Sequence, residues 1–291
     1  MSTMLNLPQI TALIKEIKKK KELQTIADHF VQEYLAKCLQ QEPKILRSLE
    51  ENFNPKSRAY AAVTKQVRAR LRRVYGLFRD DPRERKRLIE ELFSSAKQKR
   101  TGLIKEILST HSSTQERLPL YEKLYAKIFS LAGKPRTILD LGCGINPFSF
   151  AYMKLGQCTY HAYDVNEEEI QSINQYFQLL HRENPSFQGK AIVADIAAAD
   201  LTFPKADLAF LFKMTDVIDK GKGHKRTEEL LQRIPARYVI ISFATKTMSG
   251  KEMTAPRRSW MEWLCKRLGY EYTILEYPNE LFYVVKKDNS H

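Results

Sequence analysis

Between Gln9 and about Lys105, apolar residues recur at intervals of three and four, with few β-branched runs and with breaks at Pro43, Asn54-Pro55 and Asp81-Pro82. That spacing predicts a succession of amphipathic helices. In the most regular of them, residues 65–78, Val67, Leu71, Val74 and Phe78 form one apolar stripe while Arg68, Arg70, Arg72 and Arg73 lie off it. After Lys134-Pro135 the texture changes to short apolar runs alternating with helical stretches, which is how a mostly parallel sheet with crossover helices reads. Strands are predicted at 137–141, 159–164, 191–195, 207–213, 238–245, 272–276 and 281–286, and only the last is joined to its neighbour by a tight turn, Tyr277-Pro-Asn-Glu280. The expected architecture is a doubly wound, seven-stranded Rossmann-like α/β domain over residues 109–291, preceded by a helical domain over residues 1–108.

At 291 residues and 43% hydrophobic content, the chain is long enough and apolar enough to fill a globular core. It shows neither an uninterrupted apolar stretch of roughly 20 residues nor a basic segment leading into an apolar signal core, so a cytoplasmic protein without membrane attachment is expected. Cys38, Cys143, Cys158 and Cys265 are scattered, with no Cys-x-x-Cys pair and no histidine at ligand spacing, so neither structural zinc nor a disulfide framework is indicated.

Charge changes the picture of the helical region. Of the net charge of +14, residues 1–110 carry +11, from 24 Lys and Arg against 13 Asp and Glu. The arginines of the 65–78 helix are followed by Arg83, Arg85, Lys86 and Arg87 and then by Lys97, Lys99 and Arg100. One such cluster is usually a solvated helix exterior; three in succession favour contacts to RNA phosphates, each releasing counterions. Lys18-Lys-Lys-Lys21, within an early helix beside Glu16 and Glu22, reads as solubilising.

Candidate chemistry begins where the first strand ends, in Ile138-Leu-Asp140-Leu-Gly142-Cys-Gly144-Ile-Asn146-Pro147. The glycines let the backbone turn sharply and approach a ligand closely. Asp164 ends the next strand, 20 residues beyond Gly144, where a carboxylate can accept both hydroxyl hydrogens of an adenosine ribose. Asp195 and Ile196 follow the third strand, where a carboxylate can meet the adenine amino group and a backbone N–H the ring. A dinucleotide site would need a third glycine where Pro147 stands, and proline withholds the N–H that a pyrophosphate requires. S-adenosylmethionine (SAM) has no pyrophosphate, so SAM is the better fit and the chain reads as a methyltransferase. Phe212-Lys-Met-Thr215 replaces the (Asp/Asn)-Pro-Pro-aromatic turn typical of exocyclic-amine methylation, and no cysteine stands near the fourth or fifth strand end to attack a pyrimidine. Direct transfer to a ready nucleophile, such as a ring nitrogen, remains.

The runs His111-Ser-Ser-Thr-Gln-Glu-Arg117, Ile138 to Pro147, Tyr160-His-Ala-Tyr-Asp164, Phe212-Lys213, and Ile241-Ser-Phe243 with Lys246-Thr-Met-Ser-Gly-Lys251 resemble the aminoglycoside-resistance 16S ribosomal RNA guanine-N7 methyltransferases. The resemblance extends from about residue 60 to the carboxyl terminus, with the motifs in family order; the first 60 residues share only helical, basic character. It implies a helical domain that docks on the 30S subunit and a SAM domain, working as a monomer without metal, that methylates N7 of a decoding-site guanine and so confers resistance. It also implies roles. Arg117 would pair with the methionine carboxylate of SAM, Gly142 would lie against the cofactor, Asp164 would hold the ribose, and Asp195 with Ile196 would address adenine. Asp140, Gly144 and Cys143 would shape the same site with His111, Ser112, Asn146, Val165, Phe212 and Lys213. Lys213, Ser242 and Lys251 would border the target base, and Arg68, Arg70, Arg72, Arg73, Arg85, Lys86 and Arg87 would face RNA.

Each position has a plainer reading: Ser112 to Thr114 as caps of a helix beginning near Thr114 with Arg117 decorating it, Lys213 as a surface charge, Ser249-Gly-Lys251 as an ordinary turn. Guanine N7 carries a lone pair and no proton, so no general base is expected, and alignment of the reactants would supply catalysis. Tyr75, Phe148, Trp260 and Trp263 are the aromatic candidates for holding a displaced base, or else core residues. Two departures, Glu252-Met-Thr-Ala-Pro256 for the family's Gly-Met-Glu continuation and Phe243-Ala-Thr for Phe-Pro-Ile, leave the target guanine open. Methylation of another rRNA base or of a small molecule is the alternative, and a non-catalytic ribosome-binding protein a third reading that the intact glycine and acid motif disfavours.

Overall fold

The structure, a computed structural model, describes residues 5–20, 23–75, 82–219, 223–246, 253 and 256–287. Tight contacts divide the chain into two units, residues 1–79 with 165–167, and residues 80–164 with 168–291.

The first unit contains helices α1 (Leu7–Ile17), α2 (Asp28–Gln41), α3 (Pro43–Glu51) and α4 (Arg58–Tyr75). Asn6 starts α1 through a capping box with Gln9, satisfying amides that the first turn leaves unpaired. Pro43 opens α3, where a missing N–H costs nothing. Leu13, Ile17, Val31, Leu35, Leu49, Val63, Val67 and Leu71 are buried, so the apolar stripe read on α4 is its packing face as far as Leu71. The side chains of Arg73, Val74 and Tyr75, and all of Phe78, lie outside the described residues. Lys18 to Lys20 fall just beyond α1 and not within it: Lys18 pairs with Asp28 and Lys19 with Glu16.

The second unit opens with helices α5 (Pro82–Ser94), α6 (Lys97–Ser109), α7 (Ser112–Arg117) and α8 (Tyr121–Ala132). The sheet follows: β1 (Thr137–Leu141), β2 (Cys158–Asp164), β3 (Phe187–Val193), β4 (Ala206–Phe212), β5 (Ala236–Ala244), β6 (Glu271–Tyr277) and β7 (Glu280–Lys286). Between strands run α9 (Phe150–Met153), α10 (Glu167–Glu183), α11 (Thr215–Asp219), α12 (Lys225–Arg233) and α13 (Ser259–Leu268). Strand order is β3-β2-β1-β4-β5-β7-β6, parallel except for β7, which runs antiparallel to both β5 and β6. The chain reverses its winding between β1 and β4, so the carboxyl ends of those two strands flank the crevice in which such sheets bind ligands.

Each face of the sheet is sealed by helices. Ile138, Tyr160, Phe210 and Phe282 pack with Leu92, Leu103, Ile107 and Tyr125; Leu139, Leu211, Ile241 and Tyr283 pack with Leu230, Met261 and Leu264. The first of these cores explains a difference from the sequence-based boundary at 108/109. The apolar residues of α5 and α6 are spent on the sheet domain, and the contact division falls at 79/80. At the carboxyl end of β7, the buried Lys287 ammonium donates to the carbonyls of Leu231, Gln232 and Ile234 at 2.6, 3.3 and 2.5 Å, capping α12. Among the described residues no helix is long and apolar enough to cross a membrane.

Candidate functional site

The end of β1 is built around Asp140. Its side chain is 1% exposed, and one carboxylate oxygen accepts from Asn146 Nδ2 at 2.9 Å and from the Tyr160 hydroxyl at 2.8 Å. Burial pushes its pKa up to about 6 against those two bonds. Asn146 Oδ1 in turn accepts from the Tyr121 hydroxyl at 3.0 Å and from Arg117 at 3.4 Å. Asn146 and Pro147 begin a single 3-10 turn, Asn146–Ser149, whose geometry this chain of bonds fixes.

Between Asp140 and that turn the backbone doubles back through Gly142 (φ 70°) and Gly144 (φ 48°), conformations that a side chain resists. The amides of Gly142 and Cys143 both donate to the Tyr163 carbonyl, at 2.9 and 3.0 Å, and Gly144 N–H donates to the Asp164 carboxylate at 2.9 Å. A Cβ on Gly142 would stand 2.5 Å from Met214 Cε, and one on Gly144 would stand 3.7 Å from His111 Nε2. His111 and Met214 therefore border the glycine turn. Burial holds the Cys143 thiol well above its usual range, so it stays protonated and inert.

Arg117 is the second centre. Its guanidinium is 3% exposed, lies 4.7 Å from the Phe212 ring centroid, and donates to Glu280 at 2.9 Å and to Ser113 Oγ at 2.5 Å. Burial works against its charge and Glu280 overcomes that, so it remains a cation. Ser112 begins α7 with His111 as the cap residue, two positions before the start expected from the serines and threonine. Thr114 does not cap the start of α7; its hydroxyl donates to the Leu108 and His111 carbonyls.

Lys213, the first residue after β4, adopts φ 56°, held there by its N–H, which meets both the carbonyl (3.1 Å) and the hydroxyl (3.0 Å) of Ser242. It is not a surface charge: the side chain is 10% exposed and its ammonium sits 2.6 Å from Glu116 and 3.7 Å from Glu280. The Ser242 hydroxyl donates to Glu280 and has no exposed surface, so it does not open onto the crevice directly. Asp195 is half-buried and accepts from the Ala197 amide at 2.9 Å; Ile196 and Val165 are buried. Lys251, with the rest of 247–252, lies outside the described residues.

Glu280, Glu116, Ser113, Tyr121, Tyr160 and Met214 join this site although none of them is expected in it from the sequence. Of the aromatic candidates, Phe148 is core, stacked on Tyr176 at 4.8 Å. Trp260 stacks on His224 at 3.7 Å, Trp263 is 73% exposed, and the Tyr75 side chain lies outside the described residues.

The expected RNA-facing arginines divide. Arg85 is 4% exposed and bound to Glu169 (2.6 Å) and to the hydroxyl and carbonyl of Thr110 (2.8 Å each), so it is a buried structural cation and is withdrawn from the RNA set. Arg68 is partly buried against Glu16 and the Ile17 carbonyl, and Arg70 meets Gln41. Arg72 and Lys86 are exposed, and Arg87 is exposed but bridges Glu84 and Glu91.

A backbone cradle of two left-handed glycines, an acid at the end of the neighbouring strand and a buried guanidinium match the donors and acceptors of an amino-acid-bearing nucleoside such as SAM. A family model described as ribosomal RNA methyltransferase (FmrO) matches residues 37–284. The chain belongs to this family. Among curated relatives, a 16S rRNA (guanine(1405)-N(7))-methyltransferase of Frankia casuarinae is 27% identical over 180 residues, 61% of this chain and 61% of that protein. Its counterpart in Proteus mirabilis is 29% identical over 185 residues, 61% of this chain and 63% of that protein. The chain thus spans less than two thirds of the length of these relatives. In fold, it is similar to the 16S rRNA methylase RmtB (TM-score 0.69, 23% identity, 96% of this chain and 98% of that one). It is similar too to RmtF solved with S-adenosyl-L-homocysteine (TM-score 0.73, 21% identity, 97% and 99%).

Proposed function

We propose that this FmrO-family chain transfers a methyl group from SAM to N7 of a guanine in the decoding region of 16S ribosomal RNA, within the 30S subunit, and so confers aminoglycoside resistance. The observation that carries the reading is the Gly142–Gly144 turn, braced on Asp164 and lying with the buried Arg117 at the crevice between β1 and β4. Guanine(1405)-N7 methylation is what the names of the curated relatives state for those proteins. SAM supplies an electrophilic methyl on a sulfonium. Arg117 would hold its carboxylate, Asp164 its ribose, and Asp195 with Ile196 its adenine, while Asp140 and Asn146 keep the turn in place.

The nucleophile needs no deprotonation, so no residue here has to act as a general base. What the chain contributes is alignment and exclusion of water, which saves the entropy of bringing two reactants together. N7 in an RNA helix faces a deep, narrow groove, so the base must leave its stack to reach the strand ends. The basic helical region, with Arg72 and Lys86 exposed, would supply phosphate contacts on the subunit.

Purified protein supplied with methyl-labelled SAM tests the reading. Label is expected in 16S RNA when assembled 30S particles are offered; unlabelled 30S RNA from protein that binds SAM by calorimetry contradicts it.

A further inference from the structure

We propose that the Glu116–Lys213 ion pair is the guanine reader of this site, Lys213 donating to O6 and Glu116 accepting from N1–H; this rests on the guanine-N7 reading above. The two side chains come from α7 and from the end of β4 and meet at 2.6 Å. Glu116 is the accessible member, 40% exposed, whereas Lys213 is 10% and Glu280 2% exposed. The pair lies beside the cofactor cradle, because the next residue, Met214, packs against the face of Gly142.

Of the two purines, the only bases with an N7, the chemistry of the pair matches one. Guanine presents an acceptor, O6, next to a donor, N1–H; adenine presents the reverse, an amino donor next to an acceptor nitrogen. An ammonium and a carboxylate side by side satisfy guanine in one orientation and leave adenine with two mismatched contacts. A site built to hydrogen-bond its substrate rejects an analogue that strands those groups. O6 neighbours N7, so a lysine bonded to O6 leaves the N7 lone pair open to the methyl donor.

Two further features support the assignment. Among the described residues only Lys154 and Lys213 are non-glycine residues with positive φ. Lys154 merely ends α9, whereas Lys213 is held in that costly conformation by Ser242, as residues at functional sites often are. Methylation also makes the base cationic, which would oppose a bare lysine. Here the charges of Lys213 and Arg117 are balanced by Glu116 and Glu280, so the product does not face an uncompensated cation.

The test measures methylation of 30S particles carrying guanine or adenine at the modified position by the wild-type protein and by Glu116→Ala, Glu116→Gln and Lys213→Met. Loss of one charge-assisted bond is expected to lower kcat on guanine about 10- to 100-fold in Glu116→Ala and in Lys213→Met. Glu116→Gln, which keeps an acceptor, should recover much of it. The preference for guanine over adenine should shrink in Glu116→Ala, with SAM Kd within about twofold of wild type and a melting temperature close to it, since Glu116 is exposed and Glu280 still faces the Lys213 ammonium. Wild-type rate and preference in Glu116→Ala overturn the proposal, as does a loss that follows SAM affinity and marks a merely structural bridge. A wild-type protein that leaves guanine-bearing particles unmethylated while binding SAM overturns the functional reading itself, and the proposal with it.

Discussion

Arg117 and Glu280 stand 163 residues apart in the chain and bond at 2.9 Å with 3% and 2% of their side chains exposed. The carboxylate also receives the Ser242 hydroxyl and lies 3.7 Å from the Lys213 ammonium, so it joins α7, β4, β5 and β7 at one point. Removing it strands a buried guanidinium. Glu280→Ala is expected to lower unfolding stability by about 3–5 kcal/mol in chemical denaturation, and to weaken SAM binding in calorimetry. Glu280→Gln, which still accepts from Arg117 and Ser242, should lose clearly less on both counts. Equal losses would mean that the negative charge, and not the retained shape and acceptor, is what the buried guanidinium requires.

Gly142→Ala tests the cradle. The new Cβ would require φ near 70° in a non-glycine residue and would meet three side-chain atoms of Met214 within 2.5–2.7 Å. A stability loss of about 1–2 kcal/mol and at least tenfold weaker SAM binding are expected. Gly142→Ala with Met214→Ala should regain stability by removing the clash while keeping the backbone penalty. Thermal melts and calorimetry on the two variants check this.

Asp140 makes stability depend on pH. Its pKa rises from 3.8 to about 6 on folding, so between those values the native chain binds more protons than the unfolded one. Wild-type stability is therefore eroded as pH climbs through that window, and the erosion persists above it. Asp140→Asn carries no charge and can still accept from Asn146 and Tyr160. Its stability relative to wild type should increase between pH 4 and 7 by up to about 3 kcal/mol, following from a shift of about two units. A difference that does not change with pH would show that Asp140 does not titrate in this range.

Arg85 separates a structural cation from an RNA contact. Arg85→Ala removes the guanidinium that faces the buried Glu169 carboxylate at 2.6 Å, and a loss of about 3–5 kcal/mol is expected in denaturant titrations. Arg85→Met combined with Glu169→Leu should restore most of that and bind 30S particles with an unchanged salt dependence. A shallower salt slope would return Arg85 to the RNA-facing set.

Much of this is legible in the sequence wherever a constraint is local. The glycine turn after β1 is announced by its own residues, because only glycine accepts those angles cheaply, and the strands that bury alternate residues on both faces show as apolar runs. The third strand is the exception: it begins at Phe187, four residues before its apolar run suggests, because Gln188 and Lys190 are exposed at the sheet edge. Glu280 carries no signal of its own. An acid after Pro-Asn reads as a turn residue, and its partners Arg117 and Ser242 are 163 and 38 residues away. Arg85 likewise looks the same as Lys86 and Arg87 until folding turns one of the three inward.

The most direct measurement is made on the RNA. Guanine methylated at N7 is open to borohydride reduction, after which aniline cleaves the strand at that nucleotide. When 30S particles have been treated with this protein and SAM, 16S RNA is expected to break at a single decoding-region guanine, and to stay whole when SAM is omitted. Intact RNA from particles that have taken up methyl label would place the methyl group on another atom and contradict the guanine-N7 assignment.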